Sequence, residues 1–249
     1  MNRTTSKNRK LVISAMLGAI TMVLGLTPLG IIPMGLINPT TMHIPVIVAA
    51  IAEGPIVGAM VGLIFGVFSL LNAILRNASP VAFVFYNPLI SVVPRILIGI
   101  TSYYSYIALK KVSDKNLKGL TQILWIAIIG FLSFLMYKNI TTGASPLNIT
   151  FVGILIALSI GLFVYSLKTT KQDFPIALGA FVGSMTNTIL VLGGIYVIYA
   201  EKYVKALNIP LEQAKSAILG VSITSGIPEA VLSIIITTAV IRALKSRRG

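Results

Sequence analysis

Residues 56–75 read IVGAMVGLIFGVFSLLNAIL and contain no charged side chain. About 20 apolar residues, rising ~1.5 Å each, cross the ~30 Å hydrocarbon core of a bilayer, so this stretch predicts a spanning helix. Seven more apolar stretches accompany it: Leu11–Thr27, His43–Ala52, Asn87–Leu109, Leu120–Tyr137, Ile149–Leu167, Ile176–Ala200 and Ala217–Leu244. His43–Ala52 is too short to span the membrane alone. The pattern predicts an all-α integral membrane protein.

The composition excludes several classes of protein. Of 249 residues, 56% are hydrophobic and 10% are charged, against ~45–50% and ~25% in soluble domains. A cytosolic enzyme, a disordered tail and a nucleic-acid module are therefore excluded. The chain has no cysteine and one histidine, so thiol chemistry and metal clusters of Cys or His are excluded as well. It also lacks the phosphate-loop, HExxH and GxSxG motifs. We expect no catalytic residue, no cofactor and no metal.

The basic residues indicate how the chain is oriented. The net charge is +14, and fourteen of the 20 Lys and Arg residues fall on one side if the stretches alternate across the membrane, while five fall on the other. Since cytoplasmic loops carry the excess of Lys and Arg, both termini are predicted to be cytoplasmic. We expect a single multi-pass membrane domain over residues 1–249, located in the cell membrane.

Two ionisable residues lie inside predicted spans, where a charge is costly. They are Arg95 and Glu229. One interpretation is an ion pair that locks two helices together. The other is a site where Arg95 meets a substrate anion and Glu229 accepts a hydrogen bond from the substrate. Physical reasoning alone leaves both interpretations open.

Other polar residues are candidates for the same site. Asn187 and Thr188 follow Ser184 and Thr186 on one helix, so some of these side chains must face a partner helix or a cavity. His43 begins its stretch and is either an interfacial cap or a ligand. Asn87 starts the stretch that contains Arg95. The loop Pro28–Met42, which is rich in Gly and Pro, is either a lid or a plain connector.

Small residues recur at a spacing of four, which lets helices approach closely. Gly58, Gly62 and Gly66 form one such stripe, and Ala15 and Ala19 form another. Packing within the bundle explains either stripe. An outward-facing Ala stripe would instead dock another membrane protein.

Several motifs, in their order along the chain, resemble the S components of energy-coupling factor (ECF) vitamin transporters, most closely the pantothenate-type branch. The motifs are AMLGA (15–19), TTMHIPV (40–46), EGP (53–55), GLIFG (62–66), NPLISVVPRILIG (87–99), GSMTNTILVLGGI (183–195) and GIPEA (226–230).

This resemblance implies a six-helix bundle that captures a vitamin from outside the cell. It also implies a membrane coupling subunit and two ATPase subunits as partners, with Ala15 and Ala19 at the coupling subunit and the loop Pro28–Met42 as the gate. Residues 1–118 would hold four core helices and 172–249 the last two, while 119–168 would be an inserted helical hairpin.

Pantothenate is the predicted substrate. It carries one carboxylate, two hydroxyls and an amide, and the planar fork of an Arg suits the carboxylate. The substrate-binding candidates are His43, Asn87, Arg95, Asn187, Thr188 and Glu229. The alternatives are another vitamin such as cobalamin, a stand-alone secondary transporter with Glu229 as its titratable group, and a structural membrane protein.

Overall fold

The computed structural model describes residues 3–27, 30, 40–76, 79–168 and 173–246. Within these ranges the chain forms nine α-helices. They are α1 (Arg3–Leu26), α2 (Ile44–Glu53), α3 (Pro55–Arg76), α4 (Pro88–Ser91), α5 (Val93–Leu109), α6 (Asp114–Thr141), α7 (Pro146–Lys168), α8 (Phe174–Ala206) and α9 (Ala214–Ser246). Short 3-10 helices occupy Ala82–Tyr86 and Leu211–Gln213. Most of the predicted lid, Pro28–Met42, lies outside the described residues.

Six helical segments are long and apolar enough to cross a membrane. They are Pro55–Arg76, Pro88–Leu109, Asp114–Thr141, Pro146–Leu167, Phe174–Ala206 and Ser225–Ser246. The apolar part of α1, Lys10–Leu26, and the helix α2 are shorter. Each stretch identified in the sequence is thus a helix, and the predicted all-α integral membrane fold is confirmed.

The glycine stripe of α3 is used inside the bundle. A Cβ added to Gly62 would lie 2.2 Å from the carbonyl oxygen of Arg95, and one added to Gly99 would lie 2.3 Å from the carbonyl carbon of Gly58. No real Cβ approaches another atom so closely, so the backbones of α3 and α5 are in direct contact at these glycines. This contact fixes the position of Arg95, near the start of α5, against α3.

The buried apolar residues form two clusters. The larger includes Ile47, Phe65, Ile98 and Ile176 and extends through most of the helices. The smaller joins Val84 and Ile90 to side chains near the C-terminal half of α8 and the start of α9.

Helices α6 and α7 form an antiparallel hairpin. Gly143, with φ of 66°, lies in the connection between them, and at the open end Lys118 donates from Nζ to the carbonyl oxygen of Leu167 at 2.8 Å. Trp125 and Leu155 of the hairpin belong to the larger core cluster. The hairpin therefore packs on the bundle rather than standing apart from it, and its first helix begins at Asp114, ahead of the predicted start at 119.

Candidate functional site

A cavity of about 300 Å³ lies among α5, α8, α9 and the 3-10 helix Ala82–Tyr86. Its polar lining comes from Thr40, Arg95, Asn187, Thr188, Tyr203, Ser225 and Glu229. Its apolar lining includes Val84, Phe85, Val191 and Ile195. Four of the six predicted binding residues thus share one cavity, although they come from three helices that are far apart in sequence.

Arg95 is held in the cavity wall by two aromatic rings and a carbonyl oxygen. Its side chain is buried, with 5% of its surface exposed. The guanidinium carbon lies 5.2 Å from the ring centroid of Phe65 and 5.4 Å from that of Phe85, a geometry that stabilises a cation. Nη1 donates to the carbonyl oxygen of Ile90 at 2.5 Å. Nε is buried and has no hydrogen-bond partner in the described structure. Its N–H group is therefore available to donate to a ligand.

Glu229 is anchored from the other side of the cavity. One carboxylate oxygen, Oε1, accepts from the backbone N of Thr40 at 2.8 Å and from its hydroxyl at 3.3 Å. Both Glu229 and Arg95 are described, and no ion pair within 4.0 Å joins them. Each charge contacts its own neighbours directly, and the two opposite charges also attract each other across the cavity.

Asn187 and Thr188 face the cavity from α8. The Asn187 Oδ1 is buried and has no hydrogen-bond partner among the described residues. Thr188 donates to the carbonyl oxygen of Ser184 at 3.4 Å, a long and weak bond. A Cβ added to Gly226 would lie 2.8 Å from the Thr188 Cγ2, so this glycine lets α9 approach α8 beside the site.

Asn87 does not line the cavity. Its Oδ1 accepts from the backbone N of Leu89 at 3.0 Å, which caps the N-terminus of α4. Its Nδ2 donates to the hydroxyl of Tyr199 at 3.5 Å. Asn87 therefore fixes the start of the segment that carries Arg95.

His43 is fully buried inside the bundle, at the residue before the start of α2. Its Nε2 is 2.7 Å from the Ser233 hydroxyl and 3.1 Å from the Ser184 hydroxyl. Ser233 itself donates to the carbonyl oxygen of Glu229 at 2.8 Å. His43 therefore ties α2 to α8 and α9 one helical turn from Glu229, outside the cavity lining.

Two kinds of residue at the site were not identified from the sequence. Thr40 holds the Glu229 carboxylate, and Phe65 and Phe85 flank Arg95. Thr40 lies three residues before His43, and this closeness to a predicted site residue could have identified it. Phenylalanines are unremarkable in a membrane protein, so nothing in the sequence distinguished Phe65 and Phe85 from other apolar residues.

The partner-binding candidates lie elsewhere. Ala15 and Ala19 are exposed on α1, next to the exposed side chains of Met16 and Ile20. The Ala stripe thus faces away from the bundle, unlike the glycine stripe of α3.

A family model for the substrate-specific component of ECF transporters matches residues 9–138 and 123–241 of this chain. The two matches together cover nearly the whole length. The chain belongs to this family.

Two curated relatives bear related names. The pantothenic acid transporter PanT of Lactococcus lactis subsp. cremoris (strain MG1363) is 25% identical over 228 residues, which is 86% of this chain and 81% of that protein. The pantothenate transporter PanT of Leuconostoc mesenteroides subsp. mesenteroides is 34% identical over 102 residues, covering 39% of this chain and 50% of its own length.

The resemblance inferred from the motifs is thus confirmed. As an ECF S component, the protein is a multi-pass subunit of the cell membrane that binds a vitamin for uptake. It is a substrate-binding subunit, not an enzyme, and it acts with an ECF module in the membrane.

Proposed function

We propose that this S component binds pantothenate in the cavity around Arg95 and Glu229. The observation that carries the proposal is that one cation and one carboxylate face the same cavity without forming a direct ion pair. A ligand with one carboxylate and several hydrogen-bond donors complements this arrangement. Arg95 receives the carboxylate through its fork of donors, and Glu229 accepts from a hydroxyl. Asn187, whose Oδ1 has no hydrogen-bond partner among the described residues, and Thr188 bond to the amide and the other hydroxyl.

The size of the cavity supports a small vitamin. About 300 Å³ is at the lower end of the ~300–1,000 Å³ of small-molecule sites. Cobalamin, the alternative considered from the sequence, has a corrin ring system far larger than pantothenate. The names of both curated relatives point to pantothenate as well.

Asn87 and His43 are proposed to support the site from behind. Asn87 sets the start of the segment that carries Arg95, and His43 sets the distance between α2 and the helix of Glu229. Neither needs to touch the vitamin for its replacement to weaken binding.

Uptake is proposed to need a membrane coupling subunit and two ATPase subunits, because the chain has no phosphate-loop motif of its own. We place the coupling subunit against the Ala15 and Ala19 face of α1.

Both termini are proposed to face the cytoplasm, which puts the mouth of the cavity near the outside. Residues 1–118 and 172–249 form the six-helix core in this proposal, and 119–168 form the inserted hairpin.

The first experiment is thermal unfolding of the purified protein with each of a panel of vitamins. A ligand at roughly 100 times its dissociation constant adds about 2.7 kcal/mol of stability. We expect a large upward shift of Tm with pantothenate and none with the other vitamins. A shift with a different vitamin instead would keep the family role and remove pantothenate as the substrate.

Uptake by the chain without ATPase partners would favour a secondary transporter.

A further inference from the structure

A second cavity separates the hairpin from the core. It has a volume of about 210 Å³ and lies between α6–α7 and α8–α9. Its walls are mostly apolar, with Trp125 and Leu162 on the hairpin side and Phe174, Ala177 and Ile234 on the core side. Asp173 precedes α8 and Arg242 is near the end of α9. The cavity around Arg95 and Glu229 is instead lined by residues between 187 and 203 of α8 and between 221 and 229 of α9, so the two cavities lie at opposite ends of this helix pair. We call this cavity the hairpin crevice.

One end of the hairpin crevice is polar. Arg242 donates from Nε to Asp173 at 2.7 Å and from Nη2 to Asp173 and to the Tyr165 hydroxyl. Its guanidinium carbon also lies 4.9 Å from the centre of the Tyr165 ring. Nη1 makes no hydrogen bond to a described residue, and the side chain is 41% exposed. The Thr238 hydroxyl in the crevice wall is buried without a partner in the described structure.

We propose that the hairpin crevice binds an anionic phospholipid. One acyl chain lies between Trp125 and Ile234, and the phosphate accepts a hydrogen bond from the Arg242 Nη1. Asp173 and Tyr165 hold the guanidinium in place, so a donor is presented to the ligand without further ordering. The lipid fills a gap between hairpin and core that would otherwise lack packing contacts.

The basic residues at this end of the molecule favour an anionic lipid over a neutral one. Arg242 and Lys245 are on the last turns of α9, and Lys118 closes the hairpin beside α7. The sequence predicts that this end faces the cytoplasm, where anionic lipids attract basic pockets between membrane helices. A water-soluble vitamin fits the apolar walls poorly. The proposal does not depend on which vitamin the other cavity binds.

The protein contains its own probe for this test. Trp125 is the single tryptophan, it lines the crevice, and only 3% of it is exposed. Bromine on an acyl chain quenches tryptophan fluorescence on contact. The full-length protein is placed in bilayers of phosphatidylcholine with a minor fraction of phosphatidylglycerol. The bromine is carried either by the phosphatidylglycerol or by an equal amount of the phosphatidylcholine.

We expect brominated phosphatidylglycerol to quench Trp125 several-fold more than brominated phosphatidylcholine at the same concentration. The preference should disappear in Ala177→Leu, which fills the crevice, and in Arg242→Gln. It should persist in Lys245→Gln, which removes the same charge from the same helix end without altering the crevice lining. Equal quenching by the two labelled lipids in the unaltered protein would overturn the proposal.

Loss of the hairpin contact is a separate outcome that the same experiment detects. If Arg242→Gln detached the hairpin, Trp125 would meet bulk lipid and quenching by both labelled lipids would rise. Ala177→Leu removes none of the groups that bond to Arg242, so in that case it is the variant that tests whether lipid binds in the crevice. A preference that survives Ala177→Leu would contradict binding in the crevice.

Discussion

At the scale of single residues, Arg95 explains why the cavity should attract an anion. Burying a guanidinium without a partner is costly, and here two aromatic faces and one carbonyl oxygen only partly replace its hydration. Nε remains unpartnered among the described residues. A bound carboxylate would supply what the site lacks, so the protein and the anion should stabilise each other.

Replacing Arg95 by Gln should therefore weaken pantothenate binding and leave binding of pantothenol little changed. Pantothenol has an alcohol in place of the carboxylate. A hydrogen bond to a charged group contributes about 1.5–3 kcal/mol, which corresponds to about a tenfold to hundredfold loss of affinity. Isothermal titration with both ligands, on both proteins, measures the effect.

Arg76→Gln is the matched control, because Arg76 is exposed at the end of α3 and does not line the cavity. It should bind both ligands like the unaltered protein. If the unaltered protein binds pantothenate and pantothenol equally well, Arg95 does not receive the carboxylate.

The cavity residues could be predicted from sequence only where their chemistry conflicts with the membrane. Arg95, Glu229 and Asn187 are polar in apolar helices, so each needed an explanation, and all three line the cavity. His43 could not be placed, since its partners Ser184 and Ser233 lie on helices distant in sequence. Serine is common in membrane helices and gave no signal.

At the scale of helices, the contact between α3 and α5 is set by glycine. The atom nearest to a Cβ at Gly62 is the carbonyl oxygen of Arg95, which belongs to the backbone and cannot rotate away. A methyl group at Gly62 therefore has to separate the two helices and displace Arg95.

Gly62→Ala should accordingly destabilise the protein by about 1–3 kcal/mol or more, the usual range for overpacking, and should weaken vitamin binding. Gly130→Ala is the control, since a Cβ at Gly130 on α6 meets no atom within 4 Å. Alanine favours a helix by up to about 1 kcal/mol over glycine, so this variant should match or exceed the parent in stability. Thermal unfolding of both variants in detergent measures the difference. Equal Tm values for the two variants would mean that α3 and α5 are not in close contact.

The length of the apolar stretches in the sequence predicted that the helices exist, but it did not predict where they end. The apolar stretch predicted to end at Ala200 continues as α8 to Ala206, past the charged residues Glu201, Lys202 and Lys205. Hydrophobicity marks only the part of a helix inside the hydrocarbon, whereas backbone hydrogen bonding carries the helix on into the polar interface. The same reason explains why α6 begins at Asp114.

At the scale of the whole molecule, the proposed vitamin site and the proposed docking surface are separate. The cavity is enclosed by α5, α8 and α9, whereas Ala15 and Ala19 are exposed on α1. Large apolar side chains on the same face of α1 are also exposed, among them Met16 at 62% and Val23 at 59%. Lipid alone accounts for such exposure, so the distinguishing feature is the pair of small residues, which lets another helix approach closely.

Ala15→Trp combined with Ala19→Trp should therefore abolish vitamin uptake by cells while leaving vitamin binding by the purified protein unchanged. Two indole rings on this face would keep a partner helix several ångströms away, yet they touch nothing in the vitamin cavity. Uptake is measured in cells that supply the ECF module, and binding is measured by titration.

Ala157→Trp is the matched control, because Ala157 is an equally small and exposed residue on the hairpin helix α7. It should bind and transport like the unaltered protein. Normal uptake by the α1 variant would place the docking surface elsewhere. Loss of uptake in Ala157→Trp alone would place the docking surface on the hairpin of α6 and α7.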